Sequence, residues 1–301
     1  MPSGMYGPTP PLGIVVGVDG SAAAHVAIRW AAQEAVMRNV PLTLVHAIPT
    51  LTPGAVEFVS AAARDKLQQQ RAGKARKVIA DAIDVVSGTV LGSGPDVRGE
   101  VIHGHPVAIL IDMSKEARLV AVGHRGMGAL RESLLGSVSA ALLRHAHCPV
   151  AVVRDHLSKA ARPNKLPVVV GIDGSPTSEL ATDIAFDEAA VRGVDLIALH
   201  AWSDLRALPG PATYANELRN CAEAVLAERL AGFQERYPDV TVQRLLVLEH
   251  PARHLLHQAE EAQLVVVGSR GRGGFSGMLL GSVSMAVVNA ARTPVIVARP
   301  R

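Results

Sequence analysis

Cysteine is nearly absent from this chain: 301 residues contain two, Cys148 and Cys221. They fall in different halves without metal-type spacing, so no disulfide framework and no zinc module is indicated, and such usage fits a reducing compartment. Aromatic residues are equally scarce at 3%, and no run of Lys or Arg occurs. Nucleic-acid binders use stacking aromatics or a clustered basic face, so a nucleic-acid partner is not expected. Net charge is only +3. Long apolar runs are missing too. Stretches such as LPVVVGI and LVVVG are far shorter than the roughly 20 residues a helix needs to cross a bilayer, so no membrane insertion is expected. The opening MPSGMYGPTPP has neither a basic start nor an apolar stretch and does not read as a signal peptide; residues 1–11 are expected to be a disordered segment. The expected location is cytoplasmic.

What the chain does have is apolar material, 49% of its residues, and length enough for two domains with separate cores. It also has a repeat. Leu119–Arg154 reads LVAVGHRGMGALRESLLGSVSAALLRHAHCPVAVVR, and Leu264–Arg299 reads LVVVGSRGRGGFSGMLLGSVSMAVVNAARTPVIVAR. The two align without a gap and about half the positions are identical. The stretch from Gly13, GIVVGVDGS, likewise matches PVVVGIDGS from Pro167. The chain is a tandem duplication, with domains at 12–154 and 167–301 and a polar, proline-bearing linker at 155–166.

Within one copy, short apolar runs alternate with helical patterns. GIVVGVD reads as a strand buried on both faces, Ser21 as the N-cap of a helix ending near Asn39, and PLTLVHA as a second strand. Helices are expected near Phe58–Val86, Pro106–Ala117 and Ser137–His147, and strands at DVRGEVIH, RLVAVG and PVAVV. Right-handed crossovers then give a parallel sheet with helices on both faces. The fold class is α/β, doubly wound, twice.

Sheets of this type bind ligands beyond the carboxyl ends of their strands, where strand order reverses. There the first copy carries Gly123-x2-Gly126-x9-Gly136-Ser137, and the second Gly268-x2-Gly271-x9-Gly281-Ser282. Glycine lets backbone N–H groups approach an anion, and Gly136–Ser139 opens a helix whose dipole end suits phosphate. A triphosphate fits between two such donor clusters, with the hydroxyls of Ser137 and Ser139 as further donors and Arg125 and Arg270 as phosphate partners. Asp19 and Asp173 end buried strands, where a carboxylate needs a partner. A ligand hydroxyl is one; the neighbouring backbone N–H groups of an Asp-Gly-Ser turn are the other.

The G-x2-G-x9-G-S loop, with an aspartate ending the first strand, resembles the ATP-binding branch of the universal stress protein family, and the tandem arrangement resembles its two-domain members. The resemblance covers nearly all of residues 12–300. It implies five parallel strands per half in the order 3-2-1-4-5 and one ATP per half, two per chain, with room for Mg²⁺ beside the phosphates. Asp19 and Asp173 would take the ribose or the adenine edge, and backbone at Gly17, Ala47, Gly171 and Ala201 would frame the adenine. Gly123, Arg125, Gly126, Gly136, Ser137, Val138 and Ser139 would hold ribose and phosphates, as would Gly268, Arg270, Gly271, Gly281, Ser282, Val283 and Ser284. The implied function is a nucleotide-dependent sensor or regulator in a stress response, read by an unknown protein partner. The alternative is a slow ATP hydrolase or phosphotransferase on the same sites. In the first loop Arg131 and Glu132 accompany the glycines; Glu132 would partly neutralise that site, so the second is expected to bind more tightly.

Other constellations carry less. His103-x-His105 and His145-x-His147 lack a completing ligand, so no metal is expected. His46 and His200 occupy matching strand positions and read as core histidines. Neither a Walker loop nor a G-x-S-x-G elbow occurs, and no catalytic residue is assigned. The final strands PVAVV and PVIVA are apolar and unguarded. Pairing of the two, which the resemblance also implies, would make the chain a pseudo-dimer and leave room for a further homodimer.

Overall fold

A strand whose every residue is apolar must be covered on both faces, and a parallel sheet wrapped by helices does that. In the computed structural model β1 (Ile14–Gly17) has Ile14, Val15 and Val16 fully buried. The structure describes residues 11–50, 60–90, 92–126, 135–154, 165–202, 212–272 and 279–300. These divide into two compact units, one before and one after about residue 155. The expected disordered segment, apart from Pro11, and most of the expected linker lie outside the described residues.

In the first unit β1 is followed by α1 (Ala22–Arg38), β2 (Leu42–Ile48), α2 (Ala61–Thr89), β3 (Val97–His103), α3 (Pro106–Met113), β4 (Leu119–Gly123), α4 (Ser137–His145) and β5 (Val150–Val153). β1 lies between β2 and β4, with Ile14 opposite Leu42 on one side and Leu119 on the other. β3 pairs with β2 and β5 with β4, all parallel. The order is therefore 3-2-1-4-5, and the reversal falls between β1 and β4. α1 packs with α2 and α3 with α4, one pair to each face as right-handed crossovers require.

The second unit repeats this scheme with β6 (Val168–Ile172), α5 (Pro176–Arg192), β7 (Leu196–Trp202), α6 (Ala212–Arg236), β8 (Val242–Leu248), α7 (Pro251–Ala259), β9 (Leu264–Gly268), α8 (Ser282–Ala290) and β10 (Val295–Ala298). Its parallel order is 8-7-6-9-10, with the reversal between β6 and β9. The strands supply each core: Val168, Val169, Val170, Leu264, Val265 and Val266 have no exposed surface. Each such side chain contributes roughly 1.5–3 kcal/mol of burial.

Helix ends follow local chemistry. Ser21 caps α1, its Oγ accepting from Ala24 N–H at 3.1 Å, and Asn39 takes the left-handed conformation that ends it. Ser175 caps α5 in the same way, with Pro176 in the first turn and left-handed Gly193 at the end. α3 stops at Met113, four residues short of the Ala117 expected from the sequence. Ser114 ends it: its Oγ donates to Ile111 O at 2.5 Å and accepts the N–H of His147 at 2.8 Å, anchoring the chain as it leaves the helix. No helix among the described residues is long and apolar enough to cross a membrane.

Candidate functional site

Two loops leave each sheet side by side at the reversal. In the first unit β1 runs out through Val18 into Asp19-Gly20-Ser21, and its neighbour β4 runs out into His124-Arg125-Gly126. Gly17 pairs with Val45, which sets Ala47 two residues further out along β2 at the same edge. Gly171, opposite Leu199, and Ala201 repeat the placement. Gly17 and Gly171 also admit a leucine from the overlying helix. A Cβ at Gly17 would stand 2.8 Å from Leu110 Cδ1, and one at Gly171 3.1 Å from Leu255 Cδ1.

The aspartates adopt the local alternative. Asp19 Oδ1 accepts Ser21 N–H at 2.9 Å, and Asp173 Oδ1 accepts Ser175 N–H at 2.9 Å. Their other oxygens face the second loop. A Cβ at Gly126 would collide with Asp19 Oδ2, one at Gly271 with Asp173 Oδ2, and Arg272 N–H donates to Asp173 Oδ2 at 3.0 Å. The carboxylate thus clamps one loop to the other. Behind it, His46 Nδ1 lies 2.7 Å from Val18 O, and His200 Nδ1 2.7 Å from Ile172 O. A carbonyl only accepts, so each ring carries its proton on Nδ1 and ties β2 or β7 to the start of the aspartate turn.

At Gly123 and Gly268 the room left by the missing Cβ atoms is filled with protein. At Gly123 a Cβ would stand 2.7 Å from the carbonyl carbon and oxygen of Ala23; at Gly268 it would stand 2.8 Å from Thr177 Oγ1 and 2.9 Å from the Thr177 carbonyl carbon. The first turn of α1, or of α5, presses directly on the end of the fourth strand. In the second unit the contact is stitched: Thr177 Oγ1 donates to Arg270 O at 2.5 Å, and Ser175 Oγ reaches the same carbonyl at 3.2 Å.

Open donors stand one step further along. α4 begins at Gly136 and α8 at Gly281, each in extended conformation and neither start carrying a side-chain cap. The first helical bonds are Ala140 N–H to Gly136 O and Met285 N–H to Gly281 O, both 2.9 Å. The N–H groups of Ser137, Val138 and Ser139, and of Ser282, Val283 and Ser284, precede those bonds and have no acceptor within their helix. Of the hydroxyls expected to help, two are committed elsewhere. Ser139 Oγ donates to Gly123 O at 2.8 Å and Ser284 Oγ to Gly268 O at 2.5 Å, both buried. Ser137 and Ser282 are exposed and remain as hydroxyl donors. The loop between Gly126 and Gly136 closes with Gly136 N–H on His124 O at 2.9 Å; Arg131 and Glu132 lie outside the described residues.

The units differ in charge in ways the motif did not show. His124 is buried between two guanidiniums, with Arg154 against Nε2 and Arg125 Nε 3.4 Å from Nδ1. Burial first, then Arg154 and Arg125, press its pKa from 6.5 to about 4, so it is neutral near pH 7. Ser269, equally buried, replaces it in the second unit. There Arg270 is exposed, and the Arg229 guanidinium lies where a Cβ on Gly174 would go. A cleft of about 450 Å³ also opens in the second unit between the starts of α7 and α8, lined by His250, Pro251, Ala252 and Arg253 on one side and Ser282, Val283 and Ala286 on the other.

Comparison with known proteins gives a consistent result. The model described as the universal stress protein family matches residues 13–154 and again 166–299. Universal stress protein Rv2623 of Mycobacterium tuberculosis is 52% identical over 289 residues, 96% of each chain. Universal stress protein Rv1996 of the same organism is 48% identical over 303 residues, covering 96% of this chain and 95% of that one. Among solved structures, a universal stress protein from Archaeoglobus fulgidus superposes with a TM-score of 0.68 at 21% identity, covering 97% of this chain and 99% of that one. At that identity the likeness concerns the fold.

Proposed function

Because this chain belongs to the universal stress protein family, we propose that each half holds one ATP at the carboxyl edge of its sheet and that occupancy sets a state read by a partner protein during stress. The observation that carries the reading is the glycine-capped start of α4 and of α8. Ser21, Ser60 and Ser175 close their helix starts with their own side chains. α3 and α7 also start without a side-chain cap, behind a histidine; α4 and α8, which follow the strands at the reversal, start behind a glycine and leave their first-turn amides open. A phosphate is the ligand that such an end accepts with both hydrogen bonds and dipole.

In this reading Ser137, Val138 and Ser139, with Ser282, Val283 and Ser284, hold phosphate oxygens through backbone N–H, and Ser137 and Ser282 add hydroxyls. Arg125 and Arg270 supply charge, and Mg²⁺ accompanies the phosphates. Backbone at Gly17, Ala47, Gly171 and Ala201 frames the base. Asp19 and Asp173 hold the two loops in register and offer carboxylate edges to the ribose. Binding then stabilises the occupied state in proportion to ligand concentration over Kd, and a partner selective for that state reads it.

The test is direct. Freshly purified protein is denatured and the released small molecules are identified by mass spectrometry. ATP at up to two equivalents per chain supports the proposal; a flavin, or no nucleotide together with no uptake of added ATP, overturns it. Incubation with Mg²⁺ addresses the slow-hydrolase alternative, which requires ADP to accumulate and the accumulation to stop when Gly136→Asp and Gly281→Asp are combined.

A further inference from the structure

The cleft of the second unit is lined by one cation, Arg253, and no carboxylate. Arg253 stands in the first turn of α7 with His250 at its N-cap, and that turn contains no acidic residue. A helix N-terminus carries partial positive charge and favours Asp or Glu, so the Arg253 guanidinium there raises the local potential instead of offsetting it. Across the cleft, the uncapped start of α8 brings a second positive helix end and the exposed hydroxyl of Ser282. Glu249 lies 3.8 Å from His250 Nε2 and is not among the residues lining the cleft. Arg253 forms no ion pair among the described residues and is exposed. At the matching point of the first unit the helix begins Pro106-Val107-Ala108, so Ala108 stands where the second unit has Arg253.

We propose that this cleft receives the outer phosphates of the nucleotide in the second half, and that Arg253 gives that half a preference for triphosphate over monophosphate which the first half lacks. The inference rests on the nucleotide reading above and adds a residue that the repeated motif does not contain. An anion seated between the two helix ends offsets charge that the protein alone leaves uncompensated, and each added phosphate increases the gain. Arg253 lines the cleft opposite the α8 start that holds phosphate in this reading, so it acts on the phosphate chain rather than on the base.

The test uses the full chain carrying Gly136→Asp to silence the first half, and compares the affinities of ATP and AMP by calorimetry. With Arg253 intact ATP binds more tightly than AMP. Arg253→Ala lowers that ratio about tenfold, the scale of one charge-assisted hydrogen bond, while AMP affinity holds; Arg253→Lys keeps part of the preference. In the reciprocal chain, silenced by Gly281→Asp, Ala108→Arg raises the ratio for the first half. An ATP to AMP ratio unchanged by Arg253→Ala, with ATP still bound, overturns this inference and leaves the nucleotide reading standing. Failure of both nucleotides to bind the second half while Arg253 is intact overturns both. The preference also weakens steeply with salt, because Arg253 is exposed and its charge is screened.

Discussion

At Gly123 one methyl group separates two accounts of the loop. If the glycine exists to admit a ligand, alanine there costs binding and little else. The contacts point the other way, because a Cβ meets the Ala23 backbone at 2.7 Å and backbone cannot step aside. Gly123→Ala is therefore expected to destabilise the first half by about 1–3 kcal/mol, the usual cost of overpacking, and urea unfolding without nucleotide measures it. The paired serines divide in the same manner. Ser139→Ala strands the buried carbonyl of Gly123 and costs about 1–3 kcal/mol, whereas Ser137→Ala leaves stability unchanged and weakens ATP binding. His124 adds a pH dependence. Its folded pKa, near 4, lies below the ordinary 6.5, so between those values the unfolded chain takes up a proton that the folded chain refuses. Stability is full above about pH 6.5 and declines as pH falls through that window. His124→Ser, which installs the residue found at position 269, flattens the decline when urea midpoints at pH 7 and pH 5 are compared.

Among the elements, the strands were the most legible in the sequence. Runs such as VVVG permit only a position buried on both faces, and alternation with helices gives the parallel order. Ends were less legible where a side chain made its own contact: α3 stops at Ser114 because that hydroxyl binds Ile111 O and receives His147 N–H, a partner 33 residues away. The glycine motif was legible as a pattern but the crowding at Gly123 and Gly268 was not, because the crowding atoms belong to Ala23 and Thr177 on a different element. The same distance hid Arg154, which reaches His124 across 30 residues, and Arg253, which no repeat marks. The uncapped starts of α4 and α8 permit a test at this scale. Gly136→Asp supplies α4 with a capping carboxylate of its own. Caps contribute about 0.5–2 kcal/mol and Gly136 already holds an extended conformation, while a Cβ there meets Arg125 Cα at 3.3 Å, so urea unfolding without nucleotide is used to check that the fold is retained. The carboxylate then occupies the first-turn amides, and ATP binding to the first half is lost.

Taken whole, the chain is one universal stress protein unit written twice and then edited. Both units keep the aspartate clamp, the histidine tie, the crowded glycine and the uncapped fourth helix. The first adds a neutral histidine between arginines, and the second adds a threonine stitch and a positively charged cleft. Two intact copies with different surroundings predict two sites of unequal affinity, the second being the tighter. The central claim is that freed amides at two helix starts grip nucleotide phosphates, and calorimetry on nucleotide-stripped protein tests it most directly. ATP titrated into the full chain is expected to fill two sites, with Gly136→Asp and Gly281→Asp each removing one and the double variant removing both. Heat and stoichiometry that survive in the double variant, or no heat and no thermal upshift at saturating ATP in the unaltered chain, would contradict it.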